Sequence, residues 1–405
     1  MQKIKTIFII ILFILPTTSF SESSVFALTK KSLGEHHYPY SAAALGRGGF
    51  AMAFPDSVQI NQVNFSLWSF MPRTTFTLEM MYQGLGTESK TDQISSYDGT
   101  FLGGYLTIPL IQHKMAIGFG IQPSSFNNQG FLIQNLGVGA PAEQTIKTKG
   151  TLSEVQVAAT YAPNERMSFG VLMYYILGKI TDNTTITYAD RDYASIIIEN
   201  QYQFYGLAPS FGVSGFYRMF DWLSLGGRLK IPTKVKVFSK QKSLTTNKTI
   251  DRDQKVSFPV NITVGFSIQP FERLILGGDI DYIDWKNGYL FNGLPISQMN
   301  NNFRIGAGFE YLPSKRRLTS YGDKMNYRAG AFFGQMNFLA NDETINEYGI
   351  SLGLGLPIRS GNSRVDVAFQ LGQRGDLGTN NLSEKFFRLN LQVSANELWF
   401  VRDDR

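Results

Sequence analysis

Residues 256–268 read Val-Ser-Phe-Pro-Val-Asn-Ile-Thr-Val-Gly-Phe-Ser-Ile, with an apolar side chain at every second position. A period of two places the apolar side chains on one face of a β-strand and the small or polar ones on the other. The same pattern recurs from residue 74 onward, in segments of roughly ten residues. It indicates an all-β protein built from one kind of strand.

About fourteen such segments follow one another. They lie at residues 74–84, 99–109, 114–123, 151–162, 166–177, 207–217, 222–237, 255–268, 273–285, 302–312, 325–334, 345–357, 364–373 and 384–395. Short turns and long loops alternate between them, which is typical of bacterial outer-membrane barrels. In hydrocarbon every backbone N–H and C=O must pair within the protein, so strands cross only as a closed barrel. The pattern predicts a transmembrane antiparallel β-barrel of about fourteen strands over residues 74–405.

Charged side chains within these segments fall on the opposite parity from the apolar ones. They are Glu79, Arg228, Asp279, Asp281, Arg304, Glu310, Arg328 and Arg364. In a barrel that face lines the lumen, where a charge reaches water or a partner of opposite sign. A soluble all-β protein is the alternative, and it would expose a large apolar belt to water.

Composition excludes several other classes. The 405 residues include 38 Lys+Arg and 32 Asp+Glu, a net charge of +6 that no basic block concentrates, so nucleic acid is not an expected partner. The chain has no Cys, which excludes disulfides, thiolate metal sites and cysteine nucleophiles. Its three His residues, His36, His37 and His113, are not placed for a Ser–His couple on a barrel wall. We therefore expect no enzyme activity, cofactor or metal, and a structural role for the acid pair Asp279 and Asp281.

The N-terminus has the pattern of a secretory signal peptide. Lys3 and Lys5 precede an apolar stretch at residues 7–15, and Ser19-Phe20-Ser21 offers small residues for cleavage near Ser21–Glu22. A short membrane anchor is the alternative. Residues 1–21 are thus predicted to direct export, with the outer membrane of a Gram-negative cell as the destination.

Residues 22–73 lack strand alternation and are rich in small residues around Gly46, Gly48 and Gly49. A barrel of this size has a lumen too wide for its own side chains to fill. We therefore predict that the segment is a hatch that plugs the lumen, with a periplasmic tail as the alternative.

The stretch Leu45-Gly46-Arg47-Gly48-Gly49, followed by Ala53, Asp56 and the Asn-containing residues 61–68, resembles the FadL-type family. The resemblance implies a 14-stranded barrel with an N-terminal hatch that moves long-chain fatty acids or other hydrophobic compounds across the outer membrane. It extends to PorV-type barrels, which serve a secretion machinery. One departure is that Asn64 is followed by Phe65 and Ser66, where the family has Pro-Ala.

Two sets of residues are candidates for ligand contact. The first comprises apolar side chains in long loops, which a hydrophobic-compound importer needs as a landing site or which pack over the barrel mouth: Phe126, Phe131, Leu132, Ile133, Ile196, Ile197 and Phe204. The second comprises lumenal cations that suit a fatty-acid carboxylate, or that pair with lumenal acids: Arg47, Arg228, Arg304 and Arg328.

Passive outer-membrane transport of hydrophobic compounds is the predicted function. The alternative is a membrane platform for a protein secretion or surface-attachment system, and a hydrophilic porin fits less well. Trp399 and Phe400 are predicted to form the terminal signal read by the barrel assembly machinery. The expected partners are outer-membrane lipid, a hydrophobic substrate, that machinery and a protein at the extracellular loops.

Overall fold

The computed structural model describes residues 33–133, 142–188, 194–205, 209–296, 299–314, 316, 319–358 and 363–397. The predicted signal peptide and the predicted terminal signal at Trp399 and Phe400 lie outside these residues. Within them, no helix has both the length and the apolar character needed to cross a membrane.

Strands dominate the described residues. They are β1 Glu35–His36, β2 Thr74–Ser89, β3 Gln93–Ile111, β4 Met115–Ile133, β5 Ala142–Asn164, β6 Met167–Tyr188, β7 Ile196–Tyr205, β8 Ser210–Phe220, β9 Leu223–Lys230, β10 Thr233–Ser243, β11 Thr249–Phe258, β12 Asn261–Phe271, β13 Leu274–Ile283, β14 Leu290–Phe291, β15 Leu294–Pro295, β16 Asn302–Tyr311, β17 Asn326–Ala340, β18 Glu343–Ile358, β19 Ser363–Arg374 and β20 Leu382–Glu397. Two short α-helices, α1 Ala42–Gly46 and α2 Trp285–Gly288, and two 3₁₀ turns, Phe65–Phe70 and Gly322–Lys324, complete the elements.

Fourteen of these strands form a closed antiparallel barrel. The ring runs β2-β3-β4-β5-β6-β8-β9-β12-β13-β16-β17-β18-β19-β20, and β20 closes it by pairing with β2 over sixteen residues. The predicted barrel of about fourteen strands is therefore confirmed. Tight turns at residues 112–114, 165–166, 221–222 and 272–273 mark one end, which we call the turn end, and the opposite end is the loop end.

The two faces of the barrel wall differ as the alternation predicts. On β2, Phe76, Leu78 and Met80 point outward and are 45%, 40% and 37% exposed, whereas Thr77 and Glu79 between them are buried. Exposed apolar side chains on the other strands continue this outward belt around the barrel. Every charged residue that the sequence placed on the inner parity is buried: Glu79, Arg228, Asp279, Asp281, Arg304, Glu310, Arg328 and Arg364.

Two predicted strands are each two strands in the structure. The segment 222–237 breaks at Pro232 into β9 and β10, and the segment 255–268 breaks at Pro259 into β11 and β12. Proline has no N–H for the ladder and is therefore disfavoured inside a paired strand. The alternation continues across both breaks, so it gave no sign that the chain leaves the barrel there.

The strands beyond these breaks form an extension of the sheet above the loop end. The ladder of β6 passes from β8 to β7 beyond Tyr174, and β7, β10 and β11 then pair in turn. Val235, Val237 and Val256 point inward and join a core cluster with Leu152 and Ile180. β7 and the outer parts of β10 and β11 lie in residues predicted as loops, and the structure instead builds them into a sheet whose inner face is packed.

Candidate functional site

The ladder between β3 and β4 stops partway along the barrel wall. These strands pair from Ile111↔Met115 to Gly104↔Ile121, and no further partners join them in the described residues. Beyond that point residues 93–103 pair only with β2, and residues 122–133 pair with β5. We call this separation the window.

The backbone explains where the window begins. Gly103 has φ +112°, and the β2–β3 register shifts beside it at Glu79/Met80. On the other edge the β4–β5 register shifts between Pro123 and Ser125. A bulge bends its strand, and Pro123 offers no N–H to a neighbour, so the two strands diverge. Phe101 and Ile121 beside the window are 57% and 47% exposed, which places its start within the outward belt.

The N-terminal segment covers the free edge of β4 from the inside. β1 pairs with β4 through Glu35↔Phe126 and His36↔Ser125, and the His37 N–H donates to the Ser124 carbonyl at 3.0 Å. Ser125 Oγ donates to the carbonyl oxygen of Leu33 at 2.6 Å. A buried strand edge needs partners for its backbone groups, and this segment supplies them.

A cavity of about 70 Å³ lies behind the window on the loop-end side. Asp98 and Thr100 of β3, Phe126 of β4, and residues of β1 line it. The lining also carries three arginines, so the cavity is polar: Arg304, Arg374 and Arg388. A typical small-molecule site is about 300–1,000 Å³, so ligand occupancy requires part of the lining to move.

Those three arginines are matched by acids. Arg304 Nη1 lies 3.2 Å from Glu347 Oε1, and Arg374 pairs with both Glu347 and Glu35. Arg388 Nη2 lies 3.3 Å from Glu35 Oε1. The candidates from the sequence did not include Glu35, Glu347, Arg374 or Arg388. The alternation along β18, β19 and β20 places Glu347, Arg374 and Arg388 on the inward face and could have identified them. No local pattern identifies Glu35.

A second network joins the N-terminal segment to the wall near the turn end. Arg47 donates to Glu310, whose other oxygen accepts from Arg328 Nη2 at 3.1 Å. Arg328 Nη1 also donates to Asp366 at 2.7 Å. The chain of pairs continues through Arg364 to Asp56, with 2.6 Å between Arg364 Nη2 and Asp56 Oδ2.

Each of the four arginines proposed for a carboxylate therefore has an acidic partner in the structure. Arg228, the remaining one, lies 3.4 Å from Asp281 and donates to Thr263 Oγ1 and Asn261 Oδ1 at 2.9 Å. A ligand carboxylate would have to compete with these acids. The proposed role of the four arginines in ligand binding stays a prediction.

The small-residue stretch lies directly against the wall. The Gly48 N–H donates to Ser351 Oγ at 3.0 Å, and the residue has φ +78°. Its carbonyl faces Gly306, where a Cβ would collide with it. Gly46 lies against Gly353, with 2.9 Å from its Cβ position to the Gly353 Cα. Gly49 also has a left-handed φ, of +100°.

Polar side chains fix the rest of this segment. Asp279 Oδ2 on β13 accepts from the N–H groups of Ala51 and Met52 at 2.8 and 2.7 Å. Asn64 donates to the Met52 carbonyl at 2.7 Å and caps the following 3₁₀ turn by accepting from the Ser66 N–H at 3.1 Å. Asp56 accepts from the Val58 N–H at 2.8 Å. Asp56 and Asn64 therefore hold local turns and also reach the barrel wall.

The apolar loop candidates do not come together in one place. Phe126 lines the cavity and meets the His37 ring at 5.4 Å, and Phe204 is 4% exposed within the core cluster of the extension. Ile196 and Ile197 are half-buried at the start of β7. The backbone of Phe131, Leu132 and Ile133 continues β4, and their side chains lie outside the description.

Two half-buried histidines predict that the docking of the N-terminal segment over the window depends on pH. Burial, the neighbouring His37 and the positive charges of Lys230 and Arg228 lower the pKa of His36 to about 3. Burial and Arg388 lower the pKa of His37 to about 4. Both are neutral when docked and have a pKa near 6.5 when released, so docking is strongest above pH 6.5 and weakens as the pH falls toward 4.

At pH 5.5 we expect docking of residues 33–40 to weaken by about 1.4 kcal/mol per histidine. The measurement is hydrogen–deuterium exchange of these residues at pH 7.5 and 5.5, corrected for the intrinsic exchange rate. The control is the His36→Gln/His37→Gln variant, which should show no such change. An equal change in that variant would exclude the histidines as its cause.

The ring of fourteen strands, its outward apolar belt and the interrupted β3–β4 ladder define a closed antiparallel β-barrel with an opening in its wall. The chain belongs to the BamG family, whose model matches residues 3–404. A comparison with curated proteins gives no significant match.

Solved barrels share this fold at low sequence identity. A Pseudomonas aeruginosa FadL homologue has a TM-score of 0.62 at 13% identity and covers 90% of this chain and 99% of its own. The Ralstonia pickettii toluene transporter TbuX has a TM-score of 0.59 at 13% identity, over 88% of this chain and 98% of its own. The P. putida toluene transporter TodX has a TM-score of 0.58 at 14% identity and covers 89% of this chain and 99% of its own.

Proposed function

We propose that this protein is an outer-membrane barrel through which hydrophobic compounds, such as long-chain fatty acids, pass by way of the window. The observation that carries the proposal is the interrupted β3–β4 ladder. It opens the wall within the belt that would face lipid, next to an inner cavity. Long loops of such barrels face the cell exterior, so the loop end is the extracellular side. The toluene transporters TbuX and TodX, whose fold this chain shares, support the proposal.

The cavity volume sets a condition on the mechanism. At about 70 Å³ it has no room for a long-chain acid, so β1 and the residues around it must shift for a ligand to pass. In the proposed cycle the N-terminal segment moves away from β4, and the compound enters the lipid through the window. Movement is down a gradient and needs no cofactor. In this scheme residues 1–21 are the signal peptide, residues 22–73 are the hatch and residues 74–405 are the barrel.

A disulfide between β1 and β4 tests the cycle. His36 and Ser125 are register partners and the chain has no native cysteine, so His36→Cys/Ser125→Cys creates a single pair. Oxidation should reduce uptake of labelled oleate by about tenfold or more, because β1 is held over the window, and reduction should restore it. The measurement is uptake by cells that carry the variant as their only copy.

The matched control staples two strands that are already paired. Phe119→Cys/Val157→Cys joins β4 to β5 at another register pair and should leave uptake unchanged. Unchanged uptake in the oxidised His36→Cys/Ser125→Cys variant would refute passage through the window. Mass spectrometry of small molecules extracted from the purified barrel would then show whether it carries any hydrophobic compound.

A second function, a membrane platform for a protein complex, is favoured by other observations. Two buried ion-pair networks hold the N-terminal segment, and the loop-end cavity is small. The extension built from β7, β10 and β11 offers a surface for a protein partner. Membership of the BamG family supports a partner in the barrel assembly machinery. Two results together would decide for this function. The purified barrel would contain no hydrophobic compound, and subunits of the assembly machinery would co-purify with it but be lost when the β10–β11 hairpin is shortened.

A further inference from the structure

The outward face of the extension is strongly basic. The strand register from β5 through β6, β7 and β10 to β11 places eight lysines on this face, all of them exposed: Lys147, Lys149, Lys179, Lys234, Lys236, Lys240, Lys242 and Lys255. The whole chain has 38 Lys+Arg and a net charge of +6. The same face also carries four acids, Glu143, Glu199, Asp251 and Asp253, so its described residues hold an excess of four positive charges.

Four of these lysines lie where the apolar belt ends. Lys179 follows Leu177, an outward side chain that is 40% exposed, by two residues, or about 7 Å along the strand. Lys236 is the register partner of Tyr205, which is 41% exposed. Lys255 is opposite Lys236, and Lys234 is two residues nearer the start of β10. We call Lys179, Lys234, Lys236 and Lys255 the lower lysines.

The lower lysines lack an acidic ion-pair partner among the residues that the structure describes. Lys236 and Lys255 are direct cross-strand partners, and like charges in that position destabilise a sheet. None of the four makes an ion pair with any residue that the structure describes. The lysines further from the barrel differ, because Lys240 is opposite Asp251 and Lys242 is opposite Glu199. The repulsion at the lower lysines would be relieved by an anion bound between them.

We propose that the lower lysines bind the phosphate groups of a phosphorylated glycolipid in the outer leaflet. This inference rests on the outer-membrane location in the proposed function, not on transport itself. Side chains that emerge just above a lipid-facing belt reach the headgroup layer, where lipid phosphates lie. Lysine is a suitable point-charge donor to phosphate, and basic side chains near an anionic membrane surface add to one another.

The test compares lipid A with two phosphates and the same lipid A after phosphatase treatment. Purified full-length barrel is incubated with each lipid in detergent, and bound lipid is counted by native mass spectrometry. We expect the phosphorylated form to be retained about tenfold or more over the dephosphorylated form. The variant Lys179→Gln/Lys234→Gln/Lys236→Gln/Lys255→Gln should lose that preference while it keeps the heat-modifiable migration of a folded barrel.

The matched control removes four lysine charges from the same face, at positions further from the barrel. The variant Lys147→Gln/Lys149→Gln/Lys240→Gln/Lys242→Gln should retain phosphorylated lipid A like the unmodified protein. Equal loss in both variants, or equal retention of both lipids, would overturn the proposal, as would an acidic protein bound at the lower lysines instead. Uptake of oleate should be unchanged in both lysine variants, so failure of transport and failure of lipid binding are read separately.

Discussion

Replacement of Glu310 by glutamine is expected to release the N-terminal segment from the turn end of the lumen. Glu310 is completely buried and accepts hydrogen bonds from both Arg47 and Arg328. A neutral amide would leave the two buried guanidinium groups with too little opposing charge. Loss of one partner from a buried ion pair typically costs about 3–5 kcal/mol. Arg47 belongs to the segment and Arg328 to the wall, so the cost falls on their docking.

Hydrogen–deuterium exchange of residues 41–58 measures this effect in the purified barrel. Protection there should fall sharply in Glu310→Gln, while the barrel ladders on either side keep theirs. The matched control is Asp221→Asn, which removes the pair between Arg166 and Asp221. Its side chains are 59% and 89% exposed, so about 0–1 kcal/mol is expected. Similar exchange in both variants would show that the buried network does not hold the segment.

Gly48→Ala is the second change for which we expect a large effect. Gly48 has φ +78°, and a Cβ there would lie 2.5 Å from the carbonyl oxygens of Ala307 and Ala331. Those oxygens belong to β16 and β17, whose ladder prevents them from moving aside. The left-handed conformation costs about 1–2 kcal/mol for a residue with a side chain, and overpacking adds about 1–3 kcal/mol. The segment should therefore undock around this residue.

A glycine with almost the same conformation separates the two contributions. Gly293 has φ +83°, and a Cβ there would meet no heavy atom within 4 Å. Gly293→Ala should show only the cost of the backbone conformation, confined to its own turn. Exchange of residues 41–53 should rise in Gly48→Ala and stay unchanged in Gly293→Ala. If it stays unchanged in both, the close approach between Gly48 and the wall is wrong.

Both experiments bear on the choice between transport and platform. A transporter needs the N-terminal segment to leave β4, so variants that loosen the segment should raise uptake or make it less selective. In a platform the segment would only pack the lumen, so the same variants should change stability without a change in transport. The stapled His36→Cys/Ser125→Cys barrel supplies the opposite perturbation, because it tightens the same contact.

Alternation identified all fourteen barrel strands because a barrel in lipid must keep one face apolar along every strand. Glu79, Arg304 and Glu310 were placed on the inner face for the same reason. The alternation did not show that the chain leaves the barrel at Pro232 and Pro259, since the extension has a packed inner face as well. A strand that packs on a core and one that faces lipid have the same period.

The sequence by itself determined the fold class, a barrel of about fourteen strands and which face of each barrel strand is apolar, since these follow from a local repeat of two residues. Tertiary structure alone decided which acid meets which arginine, that Gly48 lies against Ala307, and that β1 pairs with β4 at the window. Pairs such as Glu310 with Arg47 join residues 263 positions apart. The register of a closed barrel and the path of the segment inside it set such contacts, and parity specifies a face but no partner.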